Sequence, residues 1–173
     1  MIDFLTDGEI YKRVILKEIE KTQSFLWLAT ADLKDLHVKT GRKFVPLLER
    51  ISSFLERGIS VRLIHAKEPG PHFRESFDKY PVLAERLERL LCRRVHFKSI
   101  VIDGKYAYSG SANLTGAGMG ARSDGKRNFE SGVFTDDKVL VSGIMGQYDR
   151  IWMGSFCSDC RFVSDCPEKS IMI

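Results

Sequence analysis

The sequence predicts an α/β sandwich, a mixed β-sheet flanked by helices. Short apolar runs of strand length alternate with stretches whose apolar residues recur at helical spacing. The pair Asp103-Gly104 falls between two such runs and marks one antiparallel hairpin within a sheet otherwise joined by crossovers. At 173 residues and 43% hydrophobic, the chain can bury one core.

Thr6 followed by Asp7, Gly8 and Glu9 reads as a helix start, and Ile10, Val14, Ile15 and Ile19 keep helical spacing to about residue 21. Residues 24–31 are almost continuously apolar, as in a strand covered on both faces. Phe44, Leu47, Leu48, Ile51 and Leu55 predict a helix over 41–55, closed by Gly58. A strand at 59–66 follows, then a break at Glu68-Pro69-Gly70-Pro71 and a helix over 82–91. Strands at 94–102 and 105–109 flank the Asp-Gly turn. A Gly-rich loop with a short helical turn covers 113–120, a strand 127–134, and a last helix 136–152. No repeat is visible, and composition changes only after Gly154. The expected organisation is a catalytic domain over 1–155 and a cysteine-containing tail over 156–173.

The densest chemistry lies at His96-Phe97-Lys98, Asp103 and Gly110-Ser111-Ala112-Asn113, a pattern of H-x-K-x4-D-x6-G-S-x-N. His96 and Lys98, two apart on a strand, leave the same face. Gly110 allows a close backbone approach to a phosphate, and Ser111 and Asn113 supply short neutral donors. One nucleophile, one fixed positive charge and several donors are what phosphoryl transfer needs without a neutralising metal. Two further H-x-K pairs, His37-Val38-Lys39 and His65-Ala66-Lys67, lack the aspartate and the G-S-x-N run and read as decoys.

These residues resemble the HKD signature of the phospholipase D superfamily at every fixed position, and the single-motif, bacterial nuclease-like members in particular. The resemblance extends from about residue 7 to 153 and implies a phospholipase D-like sandwich. It makes His96 the nucleophile of a phosphohistidine intermediate, Lys98 and Asn113 the holders of phosphoryl oxygens, Ser111 a secondary donor and Asp103 a supporting carboxylate. Asn128-Phe129-Glu130 is similar to the family's N-x-E element, so Glu130 is expected to fix one imidazole nitrogen.

The reaction also needs a group to protonate the leaving oxygen and later deprotonate water, which in this superfamily is the histidine of a second motif. Only one copy stands here, so the expectation is a two-fold homodimer that brings two His96 side chains to one phosphate. No cofactor is expected for catalysis. Cys157, Cys160 and Cys166 have C-x2-C-x5-C spacing, and with Cys92 they could hold a structural zinc. An iron–sulfur cluster is the alternative, because the spacing resembles the clamp of some RecB-type nucleases. A reduced, frayed tail is the reading without metal.

For the substrate, Arg86, Arg89, Arg93 and Arg94 precede the motif, and Arg122, Lys126 and Arg127 precede Glu130. With a net charge of +4 they favour a nucleic-acid backbone, with Gly110, Arg122, Lys126 and Arg127 as the contacts expected. The expected activity is an endonuclease on DNA or RNA. The alternatives are a phospholipase D or cardiolipin-type lipid phosphodiesterase and a non-catalytic nucleic-acid-binding module. No apolar run spans a bilayer and no basic, apolar leader opens the chain, so no membrane insertion and a cytoplasmic location are expected.

Overall fold

The computed structural model describes residues 1–34 and 36–168. Its strands are β1 (Ile2–Thr6), β2 (Phe25–Thr30), β3 (His37–Thr40), β4 (Lys43–Pro46), β5 (Ser60–His65), β6 (Glu88–Leu91), β7 (Lys98–Ile102), β8 (Tyr106–Gly110) and β9 (Ser131–Thr135). Seven form one sheet in the order β1-β9-β8-β7-β2-β5-β6, and β3 pairs with β4 apart from it. β2, β5 and β6 run parallel, whereas β2, β7, β8, β9 and β1 alternate in direction, so the sheet is mixed as expected.

The helices are α1 (Gly8–Ile10), α2 (Leu47–Glu56), α3 (Pro71–Asp78), α4 (Pro81–Arg86) and α5 (Lys138–Trp152). α1 continues as a π-helix over Tyr11–Glu18 and tightens to a 3-10 turn at Ile19–Lys21. The expected stripe of Ile10, Val14, Ile15 and Ile19 is buried on this composite helix. It packs with α2 against Leu26, Leu28, Ile100, Ile102 and Tyr108 of the sheet. On the other face α5 covers Val101 and Ala107 through Val141, while Tyr148 packs with Ala29 and Ile64. Burial on both faces is why β2 reads as an almost continuous apolar run. Asp137 caps α5 by accepting from the amides of Val139 and Leu140 at 3.0 Å each.

Several elements differ from expectation. β1 is an edge strand that buries only Leu5, too little to set an alternating pattern. Residues 41–46 belong to the β3–β4 hairpin rather than to a helix. Gly41 takes φ +61° at its turn, and α2 starts only after Pro46. Phe44, assigned to the helical stripe, is exposed. The break at Pro69-Gly70 is followed at once by α3, with Pro71 in its first turn. The helix expected over 82–91 stops at Arg86, and Glu88–Leu91 turns into β6, recruited by pairing beside β5. Residues 113–120 form turns without a helix. Of the cysteine tail, residues 156–168 fold back on the body, and 169–173 lie outside the described residues.

Candidate active site

Four strand ends meet where the chain was expected to react. Lys98 opens β7 opposite Gly110, which ends β8 and faces Gly132 of β9, while Thr30 ends the neighbouring β2. Lys98 is buried, and burial pulls its ammonium below the ordinary lysine range while the Glu130 carboxylate opposes that shift. His96 lies just before β7 and is exposed. Lys98 Nζ stands 3.3 Å from His96 Nδ1 and donates to the His96 carbonyl at 2.5 Å. An ammonium can only donate, so its contact with the ring requires an unprotonated Nδ1.

Asn113 is aimed by two backbone amides. Its Oδ1 accepts from the amides of Ala31 and Asp32 at 3.1 and 3.0 Å, beside the Thr30 hydroxyl, which donates to the Asp32 carbonyl at 2.7 Å. That consumes the acceptor and leaves Nδ2, the group that can donate to an anion. Thr30 also accepts from the Leu114 amide at 3.0 Å, tying β2 to the motif loop.

Glu130 is held from both ends. Its carboxylate accepts from the Ser111 hydroxyl and from Asn128 Nδ2, the latter at 3.1 Å. Its backbone amide donates to Asp7 Oδ1 at 2.8 Å. Asp7, read from sequence as part of a helix start, takes φ +46° and secures the N-x-E element. Among the described residues the carboxylate of Glu130 takes its hydrogen bonds from Ser111 and Asn128, not from His96. Ser111 in turn has committed its one proton to Glu130 and accepts from the Ser131 amide at 3.1 Å, so it acts as a brace more than as a ready donor.

Two motif residues have other duties than those expected. Asp103 sits at the far end of β7, five residues or roughly 16 Å from the site at about 3.3 Å per residue. Its carboxylate accepts from the amides of Gln23, Ser24 and Phe25 at 3.0, 2.8 and 3.0 Å, stitching the hairpin to the start of β2. The bonds it makes here are structural, at the opposite end of β7 from Lys98. Gly110 makes room for protein rather than phosphate: a Cβ there would collide with Tyr108 Oη and lie 2.5 Å from the Ser131 carbonyl. A Cβ on Gly132 would meet the same ring at 2.5 Å. Tyr108, which no sequence signal marks out, thus lies buried against the two glycines, its phenol pushed up to about 12 by burial. Among the described residues its hydroxyl has no hydrogen-bond partner of good geometry, although the Ala112 amide lies near enough to favour the phenolate.

The basic residues divide. Arg122 and Lys126 are exposed on the loop before Glu130. Arg127 is paired with Asp124 at 2.8 Å and lies against Gly8, which makes it a loop anchor. Arg86 donates to the Leu55 carbonyl at 3.3 Å, and Arg89 stands 3.2 Å from His65 Nε2. His65 is fully buried with Nδ1 2.8 Å from the Lys67 carbonyl, so the second H-x-K pair is a core histidine. The first belongs to the β3–β4 hairpin, which exposes Lys39, Arg42, Lys43 and Phe44. The hairpin follows the segment that grips Asn113, and the Lys34 amide donates to the Leu114 carbonyl at 3.2 Å. Its charges are hidden in the sequence because residues 41–46 carry the spacing of a helix.

The cysteine tail returns to the body, and Cys92, Cys157, Cys160 and Cys166 line one cavity. Among the described residues no three His, Cys, Asp or Glu side chains are grouped as tightly as a bound metal ion holds them.

A family model described as "Cardiolipin synthase, PLD-like domain" matches residues 15–152. No curated protein matches the chain. Among solved structures, NucT from Helicobacter pylori is 18% identical, with a TM-score of 0.60 over 87% of this chain and 95% of its own. The phospholipase D family member Nuc from Salmonella typhimurium is 13% identical, with a TM-score of 0.60 over 88% and 95%. A phosphatidylserine synthase from Haemophilus influenzae Rd KW20 is 17% identical, with a TM-score of 0.59 over 87% of this chain and 38% of its own. With a family match over most of its length, a mixed sheet between two helical layers and an H-x-K pair at the sheet's centre, the chain belongs to the phospholipase D-like family of phosphodiesterase folds.

Proposed function

We propose that this chain is a metal-independent phosphodiesterase that cleaves a nucleic-acid backbone through a phosphohistidine on His96, working as a homodimer. The observation that carries the reading is the pairing of a buried Lys98 ammonium with an exposed His96 imidazole, beside an Asn113 amide whose oxygen is already engaged. Among the described residues no carboxylate is within ion-pair distance of Lys98; a buried cation so placed is costly, and a phosphoryl oxygen is a partner that offsets the cost. On substrate binding, Lys98 leaves the imidazole for that oxygen, and Asn113 Nδ2 donates to another. Nε2 of His96 attacks phosphorus, forming the P–N bond as the P–O bond to the leaving group breaks. The partner's His96, protonated, gives its proton to the leaving oxygen. That same imidazole then takes a proton from water, whose oxygen displaces His96 from phosphorus. Glu130, shared with Ser111 in the single chain, becomes the carboxylate that orients an imidazole once two copies meet.

Nucleic acid is favoured by the hairpin, whose exposed Lys39, Arg42 and Lys43 join Arg122 and Lys126 as cations for a phosphate chain. One observation favours a lipid phosphodiester instead: Phe129, beside Glu130, is 95% exposed, an apolar group at the mouth of the site. Among the described residues no helix is long and apolar enough to cross a membrane. The test is turnover in EDTA on single- and double-stranded DNA, RNA, cardiolipin and phosphatidylcholine, with His96→Ala as control. Cleavage of nucleic acid that His96→Ala abolishes is the expected result; lipid cleavage alone would reverse the substrate assignment. Binding without turnover by the unaltered protein would make the chain a nucleic-acid-binding module. Specific activity should rise with protein concentration through the monomer–dimer transition, and a dilute monomer with full activity would exclude the shared site.

A further inference from the structure

We infer that Cys92, Cys157, Cys160 and Cys166 form a tetrathiolate site for one zinc ion, which locks the C-terminal tail to the segment that delivers His96. The four residues come from two distant parts of the chain and line a single cavity of about 40 Å³ whose other walls include Leu90, Leu91, Ile151, Phe162 and Val163. A larger cavity alongside shares Cys92, Cys157 and Cys160. All four cysteines are half-buried and free.

The local backbone is built to present them. The Cys160 amide donates to the Cys157 carbonyl at 3.2 Å, and the Val163 amide to the Cys160 carbonyl at 3.0 Å, two successive tight turns that bring C-x2-C sulfurs together. Cys92 closes a turn of its own, since the Val95 amide donates to its carbonyl at 3.0 Å. Three contacts dock the tail independently of any ion. Arg94 donates to the Phe156 carbonyl at 3.2 Å, the Leu91 amide donates to Glu168 Oε1 at 3.0 Å, and the Arg93 guanidinium lies 5.7 Å from the Phe162 ring centroid.

Four thiols against an apolar wall have few good states. Ionised, they repel one another; one divalent cation removes that repulsion and satisfies all four sulfurs in a closed tetrahedral set. The sulfurs do not yet stand at ligand spacing, and closing on an ion is the step by which such a site couples metal binding to folding. Zinc is taken ahead of a [4Fe–4S] cluster because four thiolates by themselves complete its closed tetrahedral set, whereas a cluster also requires sulfide. Cys92 follows β6 at the same end of the sheet as Lys98, with β5 and β2 between them. Four thiolates close the metal's coordination and leave no open position, so its role is structural: Cys92 precedes His96 by one short loop, and fixing the one steadies the other.

The experiment is metal analysis of the full chain purified under reducing, oxygen-free conditions. One zinc per chain is expected, and cobalt(II) in its place should give the intense thiolate charge-transfer and tetrahedral d–d bands. Cys160→Ser and Cys166→Ser should each lose most of the zinc, and chelation of the unaltered protein should lower Tm by about 10 °C. Those variants could misfold, so cobalt titration of the unaltered protein stands as the decisive measurement. Iron with acid-labile sulfide, two disulfides resistant to alkylation, or four freely alkylated thiols with no bound metal would each overturn the assignment. None of these readouts depends on turnover, so failure here is separable from failure of the phosphodiesterase reading.

Discussion

Replacing Asp103 separates the two roles a motif aspartate can have. Its carboxylate holds three consecutive amides, at 3.0 Å for Gln23, 2.8 Å for Ser24 and 3.0 Å for Phe25, in a largely solvent-accessible setting. At about 1 kcal/mol for each such bond, truncation costs roughly 3 kcal/mol, since water re-solvates part of what is removed. Asp103 also sits at φ +53°, which Asn tolerates and Ala does not, adding about 1 kcal/mol to an alanine substitution. Asp103→Ala should therefore lose about 4 kcal/mol and Asp103→Asn about half of that. At roughly 2–4 °C per kcal/mol for a chain of this size, alanine lowers Tm by about 8–16 °C. The chemistry should hardly notice. At roughly 16 Å from Lys98, two Debye lengths at physiological salt, the charge of Asp103 is screened at the site. Thermal melts and turnover per folded molecule at low temperature measure both effects. A loss of about 100-fold or more in turnover, with Tm unchanged, would refute this account and return Asp103 to the catalytic set.

Three other outcomes are expected. Burial holds the His65 imidazole below its ordinary pKa of 6.5, so the unfolded chain binds a proton there that the folded chain does not. The stability this histidine contributes is present above pH 6.5 and falls as pH drops below it. Denaturant titrations should show a positive slope of ΔG with pH in that window, flatter in His65→Gln, and an unchanged slope would argue against the assignment. Gly132→Ala places a methyl 2.5 Å from the Tyr108 ring and should cost about 3 kcal/mol or more, while Tyr108→Phe, which removes only the poorly partnered hydroxyl, should stay within about 1 kcal/mol of the parent by chemical denaturation. Finally, combining Lys39→Ala, Arg42→Ala and Lys43→Ala should reduce the slope of log K against log salt for a single-stranded oligonucleotide by about 0.7 for each phosphate no longer neutralised. An identical slope would remove the hairpin from the interface.

The reactive end of the molecule was legible because its requirements are local. His96, Lys98 and the turn at Asp103-Gly104 declare themselves through fixed spacing, and β7 and β8 follow from their apolar runs. What escaped depends on partners distant in sequence. β1 exists because β9 offers an edge, and β6 because β5 does; Glu88–Leu91 alone carries as much helical as extended character. The β3–β4 hairpin buries Val38 almost alone, too small a signal to outweigh Phe44, Leu47, Leu48 and Ile51 at helical spacing. Asp103 and Gly110 were found by type, but the amides that Asp103 holds and the Tyr108 ring against Gly110 were not, because a motif states which residues recur and not which neighbours they touch.

The grip on Asn113 has a mechanical consequence. Its oxygen is pinned by Ala31 and Asp32, the segment from which the hairpin departs, and Leu33 bridges to Leu114 on the far side of the same asparagine. On the reading proposed above, a ligand pulling on Lys39 or Arg42 would load the bonds that orient the Asn113 amide. Substrate length becomes a catalytic variable: an oligonucleotide too short to reach the hairpin should forfeit kcat as well as affinity, remote binding energy being spent on alignment.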